Sequence, residues 1–451
     1  GGSVTTTGAQ SYGEMATLGA NTTLQGVNVA FASTVDGASA GAYSLTINDS
    51  GTTVFGGSVG ALQALTHLTT DTAGETQLKG AQVSTTGAAV FNDIVKVFND
   101  VQLQTGGDLS FMQTLNGDTA NTRSVQLDAG STGHITVQGA VGDSASLKTL
   151  EVVNSNTATF TGAVTTGTSV VLTDTVDAHT IAFNGGLTTP TFTVAAEPFD
   201  LRLRGAVSVA NGINLANTGA LQLNGTYSTQ NQAITIGQAG QTATLLANTV
   251  FDSGTATTTV NGHMSGGAYT LDFNSPVIFS GTSTLTASTV TFGKAVTAAG
   301  DLTVNGATVV NGGSVNAGTH TQTYNGTVTV GGLATDTTTF TGVGMTFGST
   351  FDGTSRVVVA DSGNTTYTGA IGTVTAPAHF ETDALGSSTF SGGTVRTSSP
   401  NSIVIADDAV VTANTTFDTT NNGALAAGAN ITFGKTLNGT ANNAQSVTLN
   451  A

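Results

Sequence analysis

"GDLSFMQTLNGDTANTRSVQLDA", Gly107 to Ala129, decides how this chain is to be read. Apolar residues alternate up to Phe111, another apolar residue follows four places later at Leu115, and then comes Asn116-Gly117. A second alternating run, Val125-Gln126-Leu127, completes the stretch. Three others share its pattern: "GVNVAFASTVDGASAGAYSLTIND" from Gly26, "GVGMTFGSTFDGTSRVVVAD" from Gly342 and "GANITFGKTLNGTANNAQSVTLNA" from Gly428. Their aromatic residues are Phe31, Phe347 and Phe433, and their paired residues are Asp36-Gly37, Asp352-Gly353 and Asn438-Gly439. Alternation at period two marks strands with one buried face. Asp-Gly and Asn-Gly supply the positive φ that tight turns require. The spacing therefore predicts four phenylalanines pointing inward at one corner of a repeated coil. A turn should follow each, with positive φ at Asn116-Gly117 and Asn438-Gly439.

The copies keep register outside the motif. Phe31 and Phe111 lie 80 residues apart, as do Leu45 and Val125, whereas Gly57 and Gly139 are 82 apart. Shorter units recur within each copy: "VFGGSV", "TFTGAV", "VTFGKAV", "TYNGTVTV" and "TYTGAI". The opening phrase "GGSVTTTGAQSY" returns at Gly312 to Tyr324 as "GGSVNAGTHTQTY", and the closing "SVTLNA" matches "SVQLDA" at Ser124. Phrases from the interior thus stand at both ends. The expectation is one continuous solenoid over residues 1–451, cut in mid-repeat at either end.

Composition excludes several classes of protein. Charged residues make up 8% of the chain, against about a quarter in ordinary globular domains. With 38% hydrophobic residues and regular patterning, the chain is not disordered. The net charge of −17 disfavours nucleic acid and anionic membrane surfaces as partners, because both need clustered Lys and Arg. Cysteine is absent, which removes disulfides, thiolate metal sites and Cys nucleophiles. A chain without Cys also forms no crosslinks that would block passage through a narrow export pore. No apolar run approaches the 18 residues of a membrane-spanning helix.

Many short strands fit either antiparallel sandwiches or a parallel solenoid. No polar linker divides the chain, and Thr, Ser and Asn recur at fixed places, as they do where coils stack. The fold class expected is all-β: a right-handed parallel β-helix, or β-solenoid, with coils of roughly 20 residues grouped in long repeats. Some 22 such coils, rising about 4.8 Å each, would make a rod on the order of 100 Å long. One segment, Ala88 to Val101, carries a spacing that suits a helix as well as two strands.

Phe–x₃–Val/Leu followed by Asp/Asn-Gly and then Ser-Leu-Thr-Ile resembles the repeats of filamentous-haemagglutinin-like exoproteins. These are large β-solenoid adhesins of bacterial surfaces, secreted by two-partner or autotransporter routes. The resemblance covers essentially the whole chain, but the family's secretion domain is not recognisable in it. It implies an extracellular location on a bacterial cell and a structural shaft that mediates or supports attachment. Its partners would be further copies of itself, end to end or side by side, or a host or neighbouring cell surface. The alternative is a subunit of a self-assembled filament, sheath or surface layer.

A carbohydrate-active β-helix enzyme is the weaker alternative, and no catalytic residue is assigned. Such sites need clustered carboxylates with basic or aromatic groups, whereas basic residues are scattered here and Trp is absent. The densest candidate, Asp174, Asp177 and His179, reads as a solvated turn. No cofactor or metal is expected: the six His are distant in sequence, and the calcium-binding Gly-Gly-x-Gly-x-Asp nonapeptide is missing. The sequons at Asn21, Asn364 and Asn414 are chance products of an Asn- and Thr-rich chain. One stretch, Pro190 to Gly205, breaks the repeat with Pro190 and Pro198 and holds the only close basic pair, Arg202 and Arg204. Alternation sends both arginines outward, either to contact a partner or to bind their own neighbouring coils.

Overall fold

The computed structural model describes residues 2–398 and 402–451. It is all-β among the described residues and forms a parallel β-solenoid of about 20 turns, with coils of about 21 residues. The chain divides into two compact units, Gly1–Gln230 and Asn231–Ala451.

One coil of the first unit shows the construction. Strands Ala89–Phe91, Ile94–Val97 and Val101–Thr105 form its three sides, so the ambiguous segment at 88–101 is two strands and a corner. The next coil repeats them as Leu109–Phe111, Leu115–Gly117 and Ser124–Asp128. Phe91 pairs with Phe111, Val95 with Leu115 and Leu103 with Leu127, all parallel. Three parallel faces thus grow one strand per coil. Along each strand alternate residues turn inward: Ala89, Phe91, Val95, Val97, Val101 and Leu103 are all buried. Helix is excluded locally because the apolar period is two and corners such as Asn92-Asp93 interrupt every run.

Inside, like residues stack on like. Tyr12, Phe31 and Phe55 form a column with ring centroids 4.9 and 5.6 Å apart. In the second unit Tyr324, Phe347, Tyr367 and Phe390 stack at 5.3, 5.3 and 5.0 Å, within 7° of parallel. A parallel register puts the same position of successive coils about one strand spacing apart, so a repeated aromatic stacks on itself.

The four motif phenylalanines do not share one corner. Phe31 lies in the row Tyr12–Phe31–Phe55–Leu78–Val97, on the second side of its coil. Phe111 lies in the row Phe91–Phe111–Val137–Phe160–Phe183, on the first side. Phe347 and Phe433 likewise fall in separate rows, Val304–Tyr324–Phe347–Tyr367 and Phe340–Val359–Thr382–Ile405–Phe433. The 80-residue repeat is not a whole number of coils, and it moves the motif round the triangle by one side. What recurs is a local corner, in which an inward aromatic ends one strand and an inward apolar residue opens the next. Phe31, Phe111 and Phe347 are buried, while Phe433 is half-buried with an edge-on contact to Phe417 at 5.1 Å.

The turn assignment is also corrected. Asp36-Gly37, Asn116-Gly117, Asp352-Gly353 and Asn438-Gly439 all lie within three-residue strands, and none of the eight residues has positive φ. Asn-Gly and Asp-Gly favour a turn, but strand pairing to the preceding coil holds these pairs extended. Positive φ falls instead at Gly60, Gly142 and Gly372, at 67, 72 and 76°. Each follows the apolar residue of the succeeding coil that pairs beneath the motif: Val59 under Val35, Val141 under Leu115, and Ile371 under Phe351.

Candidate functional site

Three of the four Asp/Asn-Gly pairs act as clasps rather than turns. Asp36 accepts hydrogen bonds from the backbone N–H groups of Leu62 and Gln63 at 2.9 and 3.2 Å. Asp352 does the same for Val374 and Thr375 at 2.9 and 3.2 Å, and Asn116 for Ser144 at 3.3 Å. The N–H groups of Gly37, Gly117 and Gly353 donate to the carbonyls of Gln63, Ala145 and Thr375. Each pair therefore fastens a loop of the next coil, the loop that begins at Gly60, Gly142 or Gly372. Asp36, Asn116 and Asp352 are buried beneath these loops, whose tips expose Leu62 and Val374. Asn438 repeats one detail of the set: its Nδ2 donates to Thr436 at 3.1 Å, as Asn116 does to Thr114.

A second acidic feature was not anticipated from the sequence. In the first unit Asp49, Asp71 and Asp93 mark the same corner of three successive coils. In the second, Asp361, Asp383 and Asp407 do so. Asp49 binds the N–H groups of Asn28, Val29 and Gly51 and the hydroxyl of Thr53. Asp361 binds Gly344, Met345, Gly363 and Thr365 in the same way. Asp93 accepts the hydroxyls of Thr70 and Thr76 at 2.7 and 2.8 Å, and Asp407 those of Thr382 and Ser388, both at 2.7 Å. The visible signal was the pair "DSGTT" and "DSGNT", 312 residues apart, whose purpose only stacked coils disclose.

Burial disturbs four of these carboxyls. Desolvation pushes Asp93 up to about 6, against the lowering effect of its two threonine hydroxyls, and the Asp71 charge adds to the rise. Burial raises Asp71, Asp383 and Asp407 as well, with Lys435 opposing the shift at Asp407. A carboxyl whose folded pKa is raised binds its proton more tightly in the native state. Its full stabilising contribution is then present below the unfolded value and is lost as pH rises through the folded value. Stability should accordingly fall between pH 4 and pH 7, by about 1–3 kcal/mol from Asp93 alone. Asp118, Asp301, Asp408 and Asp418 are lowered and act in the opposite sense, their contribution being lost as pH falls below the unfolded carboxyl value. Asp93→Asn, which mimics the protonated acid, is expected to flatten the pH dependence of the melting temperature. An unchanged profile would mean that Asp93 is ionised at no cost.

Arg202 and Arg204 both lie on the outer side of the strand Asp200–Leu203 and its exit, while Leu201 and Leu203 are buried. Arg202 Nε donates to Gln222 of the adjoining coil at 2.7 Å, so one arginine serves its own stack. Arg204 is exposed. Asp174 and Asp177 are exposed, and His179 hydrogen-bonds through Nδ1 to Asn156 of the preceding coil rather than to either carboxylate. Among the described residues no three His, Asp or Glu side chains are placed to hold a metal ion, and no helix is long and apolar enough to cross a membrane. No family model, curated protein or solved structure matches the chain.

Proposed function

We propose that the chain is the structural shaft of a secreted bacterial surface adhesin or fibre, without enzymatic activity. The observation that carries this reading is the unbroken parallel pairing of successive coils within each unit. Hydrogen-bonded ladders along three faces, with aromatic columns inside, resist bending and local unfolding because each coil is held by two neighbours. The low charge and the Thr-, Ser- and Asn-rich exterior suit a surface that stays hydrated without ionic partners. Repeat pattern and lack of Cys both favour export, and the resemblance to filamentous-haemagglutinin-like repeats supports a place on a bacterial cell surface.

Small-angle scattering tests the mechanical part. The expected result is a single narrow cross-section and a radius of gyration well above ~22 Å, the globular value for a chain of this length. A compact particle near ~22 Å would overturn the shaft. Antibody labelling of intact source cells tests the location, and a signal seen only after lysis would count against it.

A further inference from the structure

Gln102, Gln126 and Glu151 occupy one outward position on three successive strands of the first unit, Gln102 paired to Gln126 and Gln126 to Glu151. Beside them run Asp100, Ser124, Lys148 and Thr149. Together these side chains bound a groove of about 480 Å³ that crosses the coils, above the buried Val101 and Val125. That volume lies within the roughly 300–1,000 Å³ of small-molecule sites.

Irregular pairing flanks this groove. The register between Ser124–Asp128 and Leu147–Asn154 shifts at Leu127/Asp128, and that between Leu147–Asn154 and Val164–Leu172 shifts at Leu147/Thr149. A bulge re-aims side chains and bends its strand, and Lys148 lies at the second of these shifts. It is exposed and, among the described residues, in no ion pair. The carboxylates nearby are tied down. Asp100 Oδ1 accepts from the Ser124 N–H at 2.8 Å, and Glu151 accepts from Gln126 Nε2 at 2.8 Å and from the Thr173 hydroxyl at 3.2 Å. The amide of Gln102 has no side-chain partner among the described residues and faces solvent.

We infer that this groove binds a neutral, hydroxyl-rich oligosaccharide chain laid across the coils. The amides of Gln102 and Gln126 offer a donor and an acceptor on each rung, as sugar hydroxyls require. Two carboxylates repel a polyanion, and with the Lys148 ammonium beside them the groove carries too little net charge to hold a polycation. The floor offers little bare apolar surface to a greasy ligand, and a sheet face has no unpaired backbone for a peptide to extend. Rungs repeat at about 4.8 Å, close to the length of one pyranose unit, so successive sugars can meet successive rungs. The inference goes beyond the shaft reading: it gives the side of the solenoid a ligand of its own.

The test uses the purified chain with cellohexaose, chitohexaose and maltohexaose as neutral probes and polygalacturonate as a polyanion, followed by calorimetry. At least one neutral probe is expected to bind with a Kd of about 1 mM or tighter. Gln102→Ala/Gln126→Ala should weaken it by about 10-fold or more with the melting temperature unchanged, since both side chains point to solvent. Hydrogen exchange on the saturated wild-type chain should show protection at 100–102, 124–126 and 148–151, a readout that needs no variant. The inference fails if no neutral probe saturates, if polygalacturonate alone binds, or if protection falls elsewhere. It also fails if the double variant binds as well as the parent. None of these results would alter the scattering profile, so the shaft and the groove stand or fall separately.

Discussion

Phe347→Ala is expected to destabilise its coil by an amount near the top of the ~3–5 kcal/mol range for buried aromatic deletions. The ring is 1% exposed and stacks between Tyr324 and Tyr367, both at 5.3 Å. Phe340 and Phe351 meet it edge-on at 5.5 and 5.0 Å. The cavity left behind would be walled by parallel ladders that cannot close on it without breaking pairs on two sides. In a nearest-neighbour array the damage should stay local. Hydrogen exchange should therefore accelerate around residues 324–367 and return to wild-type rates a few coils away. Phe433→Ala serves as the internal control, because that ring is only half-buried; its cost should be about 1 kcal/mol. Equal losses at the two positions, or loss of structure throughout the chain from either, would argue against a stack of semi-independent coils.

Gly162→Val should be more damaging than the same substitution at Gly117, costing about 3 kcal/mol or more. Gly162 has no positive φ, so its requirement is spatial. A Cβ there would lie 2.5 Å from the carbonyl carbon and oxygen of Gly139, at the same corner one coil earlier. Gly185 stands in the same relation to Gly162, with its Cβ 2.4 Å from the Gly162 carbonyl carbon. These corners pack backbone on backbone, so no flexible side chain can yield. At Gly117 the nearest atom to a Cβ is the Thr119 oxygen at 3.1 Å, and Gly117→Ala should cost about 1 kcal/mol. Thermal melting of the two variants separates the explanations. If Gly162→Val were neutral, as an ordinary strand position with a β-branched residue would be, the close-packed corner would be wrong.

Strand content, the buried side of nearly every strand and the parallel stacking were legible in the sequence, because each follows from a period of two and from recurring corner words. Phe31, Phe111 and Phe347 announce their burial by alternation alone. The glycines of "TFTGAV" and "TYTGAI" were visible too, as repeated words, though not the reason for them. What the sequence could not carry is phase: which side of the triangle a word occupies depends on how many residues every earlier corner consumes. That count emerges only when the coils are closed, and so the 80-residue repeat looked like a stack of equivalent positions when it steps round the coil by one side.

The same limit hid the acid columns and the groove. Asp49, Asp71 and Asp93 are more than 20 residues apart in the chain, and Gln102, Gln126 and Glu151 are similarly separated. Each set becomes a row only through the register of neighbouring strands. Asp36-Gly37 and Asn116-Gly117 show the converse case, in which a strong local preference yields to strand pairing with the preceding coil and hydrogen bonds to a loop of the next. Local alternation thus determined what forms and which way each side chain points. Hydrogen bonding between coils decided who meets whom, because contacts across a solenoid are set by the length of a turn and not by neighbourhood in the chain.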